Sequence, residues 1–464
     1  MAAAGRRIAL LTLDANMLRD EEWAPFNYAV RRIHAAVLAD PALRDAEVEL
    51  FEGWSPDDLE RLSAEVEAFD PDIVGASVYL WSFPTFVEIA RRVKRARPER
   101  LVVFGGPSAR PAMFELAPYR DAVRAVDVLV VRDGEECFRE IVQLTDRSET
   151  ALRGIRGLAI ATGDGYVEMP PRTQDTPLDL LASPYQMDLV PDRITAHLET
   201  FRGCPLSCAF CEWGAGDRTS RVFSVDYLVR ELEAFRRLQT RGAFLVDAAL
   251  NLNARAFRNL SAAEAQVRFF RDTLFSCEIY PTLIKDEHLE FLSSVKIHHI
   301  GVGLQSYDKE VLARIERPFD PRKFEHGLAA LAQVTEPTCE IIMGLPGDSP
   351  ATFRNTLDRV MEQPCNFLVY HCLVLPDGLM TRAPKGSNMD FDPYSLKMRS
   401  CWGWSEKDFR DTIELLDDLV QRTGGSQGEY YWLLPQGGDR RHRRESSGGH
   451  GNRRTSAGSA PVSR

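Results

Sequence analysis

The stretch Thr200-Phe-Arg-Gly-Cys204-Pro-Leu-Ser-Cys208-Ala-Phe-Cys211 follows an apolar segment and places three cysteines in a C-x3-C-x2-C pattern. Three thiolates on one tight loop can hold three corners of an iron–sulfur cluster, and soft sulfur ligands favour iron–sulfur or zinc over hard cations. A structural zinc ion needs a fourth protein ligand, yet the next Cys and His are Cys277 and His288. The pattern therefore favours a three-ligand cluster with one open iron, and a zinc site is the alternative.

Short apolar runs alternate with helical patterns on both sides of this loop. Six such runs predict strands at Ile194–Phe201, Ala243–Val246, Cys277–Tyr280, His299–Leu304, Glu340–Met343 and Phe367–Val374. A helical segment follows each run, which indicates strand–helix units in a parallel sheet. Six units predict a partial TIM barrel of (β/α)6 type, with its chemistry at the carboxyl ends of the strands.

The first 150 residues show the same alternation. They predict strands at Ile8–Leu13, Val48–Phe51, Ile73–Val78, Leu101–Phe104 and Val126–Val131. The pattern is typical of an α/β fold with a doubly wound, Rossmann-like parallel sheet. Ser77, Gly105 and Gly106 would lie at its carboxyl edge, where such folds bind ligands.

The remaining segments complete a division of the chain into five parts. We predict a Rossmann-like domain at 1–150, a proline-rich linker at 151–194, the partial barrel at 195–380, a small helical C-terminal cap at 381–436 and a disordered Arg-, Gly- and Ser-rich tail at 437–464. The cap carries aromatic residues and is expected to cover the barrel mouth. Aromatic side chains there would set substrate specificity.

Charge and hydropathy exclude several classes of protein. The chain has 57 Lys and Arg against 68 Asp and Glu, a net charge of -11, whereas nucleic-acid-binding domains are normally basic. We therefore expect no nucleic-acid partner. No apolar run reaches the 18–20 residues that a membrane span needs, so we expect no membrane association. The odd number of nine cysteines and the lack of an export signal favour a cytoplasmic protein without a disulfide framework.

The cysteine loop resembles that of the radical SAM superfamily, which has an aromatic residue before the last cysteine; here it is Phe210. Further resemblances occur in the family's order. They are Phe244–Asp247, Glu278-Ile-Tyr-Pro281, Gly301-Val-Gly-Leu-Gln-Ser306 and Ile341-Ile-Met-Gly-Leu-Pro-Gly347. The resemblance implies a [4Fe-4S] cluster on Cys204, Cys208 and Cys211, whose open iron binds S-adenosyl-L-methionine (SAM). It also implies SAM contacts from Phe210, Asp247, Glu278, Gln305 and Ser306.

The first domain looks like the cobalamin-binding domain that precedes many radical SAM barrels. The similarity rests on Pro71-Asp-Ile-Val-Gly-Ala-Ser-Val-Tyr79, Val103-Phe-Gly-Gly-Pro107 and Asp127-Val-Leu-Val-Val-Arg-Asp-Gly-Glu135. It implies cobalamin contacts from Ser77, Tyr79, Gly105 and Gly106, with Tyr79 and Trp81 lining the lower face. The D-x-H-x-x-G motif that supplies an axial histidine to cobalt is absent from the sequence, so the resemblance implies cobalamin without a His ligand.

Together these resemblances imply a cobalamin-dependent radical SAM enzyme. The leading hypothesis is a C-methyltransferase that acts on an unactivated carbon of a small molecule or peptide in secondary metabolism. It would receive electrons from a flavodoxin- or ferredoxin-type donor. A non-methylating enzyme that forms or contracts a ring, a non-catalytic corrinoid-binding protein and a zinc hydrolase are the alternatives. Tyr370, His371 and Cys372, at the end of the sixth barrel strand, are weak candidates for catalytic residues.

The C-terminal tail has a charge opposite to that of the rest of the chain. Residues 437–464 contain seven Arg and two acidic residues, a composition typical of solvated appendages. We predict that removing residues 437–464 leaves cluster assembly unaffected. Iron analysis of the truncated protein after anaerobic reconstitution checks this, and loss of iron would show that the boundary is wrong.

Overall fold

A computed structural model describes residues 6–13, 26–163, 165–173, 176–215 and 221–436. The predicted tail at 437–464 lies outside the described residues. Among these, the chain forms two large sheets with helices packed against them. The nine cysteines are all free thiols.

The first sheet has seven strands in the order β2-β1-β3-β4-β5-β6-β7. Their bounds are β1 Arg7–Leu13, β2 Glu47–Gly53, β3 Ile73–Ser77, β4 Leu101–Gly105, β5 Val128–Val130, β6 Leu158–Thr162 and β7 Gly165–Glu168. The first five are parallel, and β6 and β7 add to the edge as antiparallel strands. The last two strands come from the segment that the sequence assigned to a linker, so this segment contributes to the first sheet.

Helices cover both faces of this sheet because successive side chains of each strand point to opposite faces. The helices are α1 Tyr28–Leu38, α2 Leu59–Phe69, α3 Phe83–Ala96, α4 Pro111–Glu115, α5 Gly134–Gln143 and α6 Glu149–Leu152. On β1, Leu10 belongs to a core shared with α1 and α5, whereas Leu11 belongs to a core shared with α2 and α3. The domain is thus doubly wound, as the alternation of the sequence predicted.

The second sheet contains six parallel strands and two antiparallel strands, in the order β18-β19-β15-β14-β13-β12-β11-β8. The parallel strands are β8 Thr195–Leu198, β11 Gly242–Leu245, β12 Leu274–Ile279, β13 Lys296–Gln305, β14 Thr338–Met343 and β15 Asn366–His371. The two antiparallel strands are β18 Ser426–Gln427 and β19 Tyr431–Leu434. A short ribbon of β9 Phe201–Arg202 and β10 Arg221–Val222 follows β8.

Helices connect the parallel strands, as the predicted partial barrel requires. They are α7 Val225–Arg237, α8 Ala254–Val267, α9 Asp286–Ser294, α10 Lys309–Arg314, α11 Pro321–Leu331 and α12 Pro350–Met361. Because the strands run in the same direction, their carboxyl ends lie at one edge of the sheet. The loops and turns that carry the predicted site residues meet there.

The C-terminal segment contacts both domains. It holds a π-helical turn at Pro376–Met380, a two-stranded ribbon of β16 Asp390–Phe391 and β17 Met398–Ser400, and the helix α13 Glu406–Thr423. Leu396 is fully buried in the core of the first domain, whereas Phe409 of α13 is buried in the barrel core. The predicted helical cap therefore also contains strands, and it joins the two domains. Among the described residues, no helix is long and apolar enough to cross a membrane.

Candidate active site at the domain junction

The three cysteines of the loop lie close together beyond the β9 strand. Gly203 makes the turn into the loop with a φ of 104°, a conformation that favours glycine. Cys204 and Cys208 are buried and Cys211 is half-buried. Burial raises the pKa of the Cys204 thiol and raises that of Cys211 to about 11, and the neighbouring thiols add to the effect.

The cysteine loop brings three thiols next to an arginine side chain. In the part of the chain that the structure describes, no three Cys, His, Asp or Glu side chains converge closely enough to hold one metal ion. A four-iron cluster instead takes each thiolate at a separate iron, so its ligands lie further apart than those of zinc. The Arg317 guanidinium lies beside the loop, with Nη1 3.6 Å from Cys208 Sγ. It supplies a positive charge next to the predicted cluster ligands.

A buried polar cluster lies on the neighbouring strands of the barrel. Glu278 on β12 lies over Gly301 of β13, where a Cβ would be 2.1 Å from Glu278 Oε1. At Gly303, a Cβ would be 2.8 Å from Gln305 Nε2 and 3.1 Å from Arg317 Nη2. Two glycines on the strand between Glu278 and Glu340 therefore make the space in which these polar side chains lie.

The two carboxyl groups of this cluster, Glu278 and Glu340, are both held away from their charged forms. Burial and the neighbouring Glu340 raise the pKa of Glu278 well above its usual range, although Arg317 opposes the effect. Burial likewise raises the pKa of Glu340 to about 7, while a hydrogen bond from Tyr370 Oη at 3.2 Å and the charge of Arg317 act against it. Carboxyl groups poised in this way can accept hydrogen bonds from a bound ligand.

Arg317 is a candidate site residue that the sequence motifs did not identify. It follows α10 and donates a hydrogen bond to the Gly303 carbonyl, and its Cζ lies 5.4 Å from the centre of the Tyr280 ring. The sequence feature that could have indicated Arg317 is its position, as a basic residue after the short helix that follows the fourth barrel strand. That Arg317 lies at the carboxyl end of this strand and points inward is visible only in the folded structure.

Two of the predicted SAM contacts have structural partners. The Asp247 carboxylate accepts hydrogen bonds from the Thr200 amide at 2.9 Å and from the Thr200 hydroxyl. Ser306 Oγ accepts a hydrogen bond from the Asp308 amide at 3.0 Å and lies 3.4 Å from Thr356 Oγ1. Asp247 thereby supports the start of the cysteine loop, and Ser306 supports the turn after β13.

Two further predicted SAM contacts, Gln305 and Phe210, lie at a strand end and on the cysteine loop. Gln305 is buried at the end of β13 with a φ of 72°, a strained conformation for a residue other than glycine. Phe210 is partly buried against the barrel core. Its carbonyl would lie 2.8 Å from a Cβ at Gly378, so the cysteine loop packs directly on the π-helical turn.

The weak catalytic candidates at the end of β15 differ in their surroundings. Tyr370 joins the polar cluster through Glu340. His371 Nε2 is 2.8 Å from the Met398 carbonyl, and its ring stacks on Phe409. Cys372 is buried, and burial raises its pKa well above the usual range. Only Tyr370 therefore meets the other site residues.

The predicted cobalamin residues lie at the carboxyl edge of the first sheet. Gly106 has a φ of 98°, and a Cβ there would lie 2.7 Å from the Val78 carbonyl, so only glycine fits this turn. The Ser77 hydroxyl is buried without a hydrogen-bond partner in the described chain. The Tyr79 and Trp81 rings stack at 4.6 Å, and Trp81 Nε1 donates to the Leu13 carbonyl at 3.0 Å. Of these predicted cobalamin residues, Ser77 offers a buried hydroxyl that an amide group of a bound corrin ring could satisfy.

An ion-pair network joins this edge to the neck of the cysteine loop. Glu135, at the start of α5, accepts two hydrogen bonds from Arg202 of β9, at 2.6 Å and 3.2 Å, and one from Arg32 of α1 at 3.3 Å. Asp133 pairs with Arg221 of β10. Since β9 and β10 flank the cysteine loop, acidic residues of the first domain hold both strands of its neck.

Family comparisons agree with this architecture. A model of the radical SAM superfamily matches residues 198–360, and a model of the B12-binding domain matches residues 24–142. The two matches together span more than half of the chain. The chain contains a radical SAM domain and a B12-binding domain.

Curated relatives of this radical SAM protein include methyltransferases. It is 29% identical over 361 residues to the cobalamin-dependent radical SAM methyltransferase TokK of Streptomyces tokunonensis, covering 71% of this chain and 50% of TokK. It is 31% identical over 329 residues to the 2-(S-pantetheinyl)-carbapenam-3-carboxylate methyltransferase of Streptantibioticus cattleyicolor, covering 63% and 45%. The chain thus spans about half the length of the curated relatives it matches.

Solved structures share the fold of the radical SAM protein. The methyltransferase TsrM of Kitasatospora setae, with tryptophan substrate and a SAM analogue bound, superposes with a TM-score of 0.66 at 17% identity, covering 90% of this chain and 88% of TsrM. The cobalamin-dependent SAM radical enzyme OxsB, with aqua-cobalamin and SAM bound, gives a TM-score of 0.64 at 14% identity, covering 90% and 67%. These similarities establish the two-domain fold.

Glu135 provides a test of the junction. We expect Glu135→Ala to destabilise the protein by about 3–5 kcal/mol, because Arg202 and Arg32 are left buried without their shared carboxylate. Urea unfolding of the apoprotein measures the change. As a control, Glu149→Ala removes the exposed pair with Arg153 and should cost less than about 1 kcal/mol. Equal effects of the two variants would contradict the role given to the network.

The pH dependence of the free energy of unfolding tests the raised pKa of Glu340. Its pKa of about 7 in the folded protein exceeds the unfolded value, so folding keeps a proton that the unfolded chain releases between about pH 4.5 and 7. Its contribution to stability is full below this window and is lost as the pH rises through it. Glu340→Gln should make the decline less steep by up to about 1.4 kcal/mol per pH unit.

Apoprotein unfolding at pH 5, 6 and 7 measures the slope for Glu340→Gln. The exposed residue Glu290 on α9 offers a matched control, since Glu290→Gln removes a carboxylate outside the polar cluster. An unchanged slope in Glu340→Gln would show that Glu340 is ionised throughout this pH range.

Proposed function

We propose that this protein is a cobalamin-dependent radical SAM methyltransferase that methylates an unactivated carbon of a small molecule or peptide in secondary metabolism. The observation that carries the proposal is the junction itself. The neck of the cysteine loop is paired with Asp133 and Glu135 at the carboxyl edge of the first sheet. The predicted cluster site and the predicted cobalamin site therefore belong to one region between the domains.

The proposal assigns a cofactor to each group of residues. Cys204, Cys208 and Cys211 hold a [4Fe-4S] cluster, and the edge with Ser77 and Gly106 holds cobalamin. When bound, these cofactors would supply hydrogen abstraction from an unactivated carbon and donation of a methyl group. The relatives named as methyltransferases support methyl transfer as the outcome.

The barrel residues would bind and orient SAM. Glu278 and Glu340 offer buried carboxyl oxygens that can accept hydrogen bonds from ribose hydroxyls. Arg317, beside Cys208, offers a guanidinium suited to the carboxylate of the methionine part. Tyr370 holds Glu340 through its hydrogen bond. Burial of this group of side chains excludes water from the space where a reactive radical would form.

We also propose a reducing, cytoplasmic setting with a flavodoxin- or ferredoxin-type electron donor. All nine cysteines are free, which fits a compartment that keeps thiols reduced. Trp213, two residues after Cys211, is half exposed. We place the approach of the donor at this surface, because it adjoins the third predicted cluster ligand in the chain.

Methyl-labelled SAM tests the proposal without knowledge of the substrate. The reconstituted protein is incubated anaerobically with methyl-labelled SAM, cobalamin and a strong reductant. We expect label in the cobalamin fraction and formation of 5′-deoxyadenosine. Formation of 5′-deoxyadenosine without transfer of label would favour the non-methylating alternative and contradict the methyltransferase.

Cys208→Ala makes this test specific for the cluster. The wild-type protein should hold about four irons per chain, whereas Cys208→Ala should lose the cluster and form no 5′-deoxyadenosine. Cys137→Ala is the matched control, because Cys137 is a buried cysteine in the core of the first domain. Fewer than about three irons in the wild type would contradict a four-iron cluster.

A further inference from the structure

A short C-terminal segment lies between the two predicted cofactor loops. Its π-helical turn, Pro376–Met380, packs on the cysteine loop so closely that a Cβ at Gly378 would lie 2.8 Å from the Phe210 carbonyl. No sequence motif drew attention to this segment. Its side chains contact both loops.

Arg110 connects the turn to the first domain. It lies just after the glycine turn of the predicted cobalamin site, and its Nη1 donates to the Gly106 carbonyl at 3.0 Å. Its Nε donates to Asp377 Oδ2 at 2.6 Å. Both side chains are mostly buried, at 14% and 26% exposure, so solvent screens this ion pair only weakly.

Arg382 connects the same turn to the cysteine loop. Its Nε donates to the Asp377 carbonyl at 2.7 Å. Its Nη2 donates to the Cys208 carbonyl at 3.0 Å and also to the Cys211 carbonyl. One guanidinium thus holds the main chain of two predicted cluster ligands.

We propose that Arg110, Asp377 and Arg382 form a bridge that couples cobalamin binding to cluster binding. The proposal rests on the proposed function, since it takes both cofactors as given. Each end of the bridge binds carbonyl groups of a cofactor loop. A cofactor that orders one loop therefore fixes the bridge in the geometry that the other loop needs. By linkage, the two cofactors then raise each other's affinity by the same factor.

The bridge contains charged groups whose geometry is specific. A guanidinium donates in a fixed plane, so a shift of Asp377 changes the direction of both arginines. Glu212, directly after Cys211, lies near Arg110 and Asp377 and is mostly buried. Displacing Arg110 and Arg382 would leave Glu212 next to Asp377 without their compensating charges. The bridge is therefore suited to hold both loops in one arrangement.

Cobalamin titrations with and without the cluster test the coupling. Hydroxocobalamin binding is followed by absorbance, anaerobically, in reconstituted wild-type protein and in the same protein after the iron is removed by a chelator. We expect at least about fivefold tighter binding to the reconstituted form. In Asp377→Asn, which keeps the side-chain shape but removes the charge, we expect this ratio to fall below about twofold.

Several comparisons make the result decisive. Asp121→Asn removes an ion pair with Arg91 of similar length, 2.7 Å, inside the first domain, and should keep the wild-type ratio. If Asp377→Asn does not fold, Arg382→Lys tests the other end of the bridge, and it should lower the ratio in the same way. A wild-type ratio near one, or a full ratio in Asp377→Asn, overturns the bridge. Absence of any cobalamin binding would instead overturn the proposed function together with it.

Discussion

The ion pairs of Glu135 with Arg202 and of Asp133 with Arg221 hold the neck of the cysteine loop against the first domain. Arg202 is two residues before Cys204, and its guanidinium is held by Glu135 and also by Glu199 at 2.8 Å. Removing charges from water is costly unless each is paired and hydrogen-bonded. In this network the burial of one group requires the burial of the others. The first domain and the loop can therefore be displaced only by breaking several buried charge pairs together.

The barrel strands then decide what surrounds the loop. The two glycines of β13 leave room for Glu278 and for the Gln305 and Arg317 side chains. A barrel interior is ordinarily filled with branched apolar side chains, so this polar group replaces part of the core. Such a replacement lowers stability, and it is expected where a protein binds a polar ligand. The raised pKa values of Glu278 and Glu340 show the same conflict between burial and charge.

The sequence predicted the fold well because the main signals are local. The parallel strands follow from short apolar runs that alternate with helical patterns, and the cysteine loop stands out by its spacing. Periodicity does not show which strands join a sheet at its edge, and β6 and β7 were therefore assigned to a linker. Arg317, Asp377 and Arg382 have no motif, because their importance depends on contacts between segments far apart in the chain.

The distribution of charge gives these arginines a common role. The chain as a whole carries -11, yet Arg202, Arg317 and Arg382 all lie beside the cysteine loop. An iron–sulfur cluster held by thiolates is negatively charged, and buried negative charge requires nearby positive charge. Guanidinium groups stay protonated at any physiological pH. The positive charge that they place beside the loop therefore does not change with pH. An acidic protein that places arginine side chains at one buried loop is thus suited to bind an anionic group there, which is what the proposed cluster on Cys204, Cys208 and Cys211 requires.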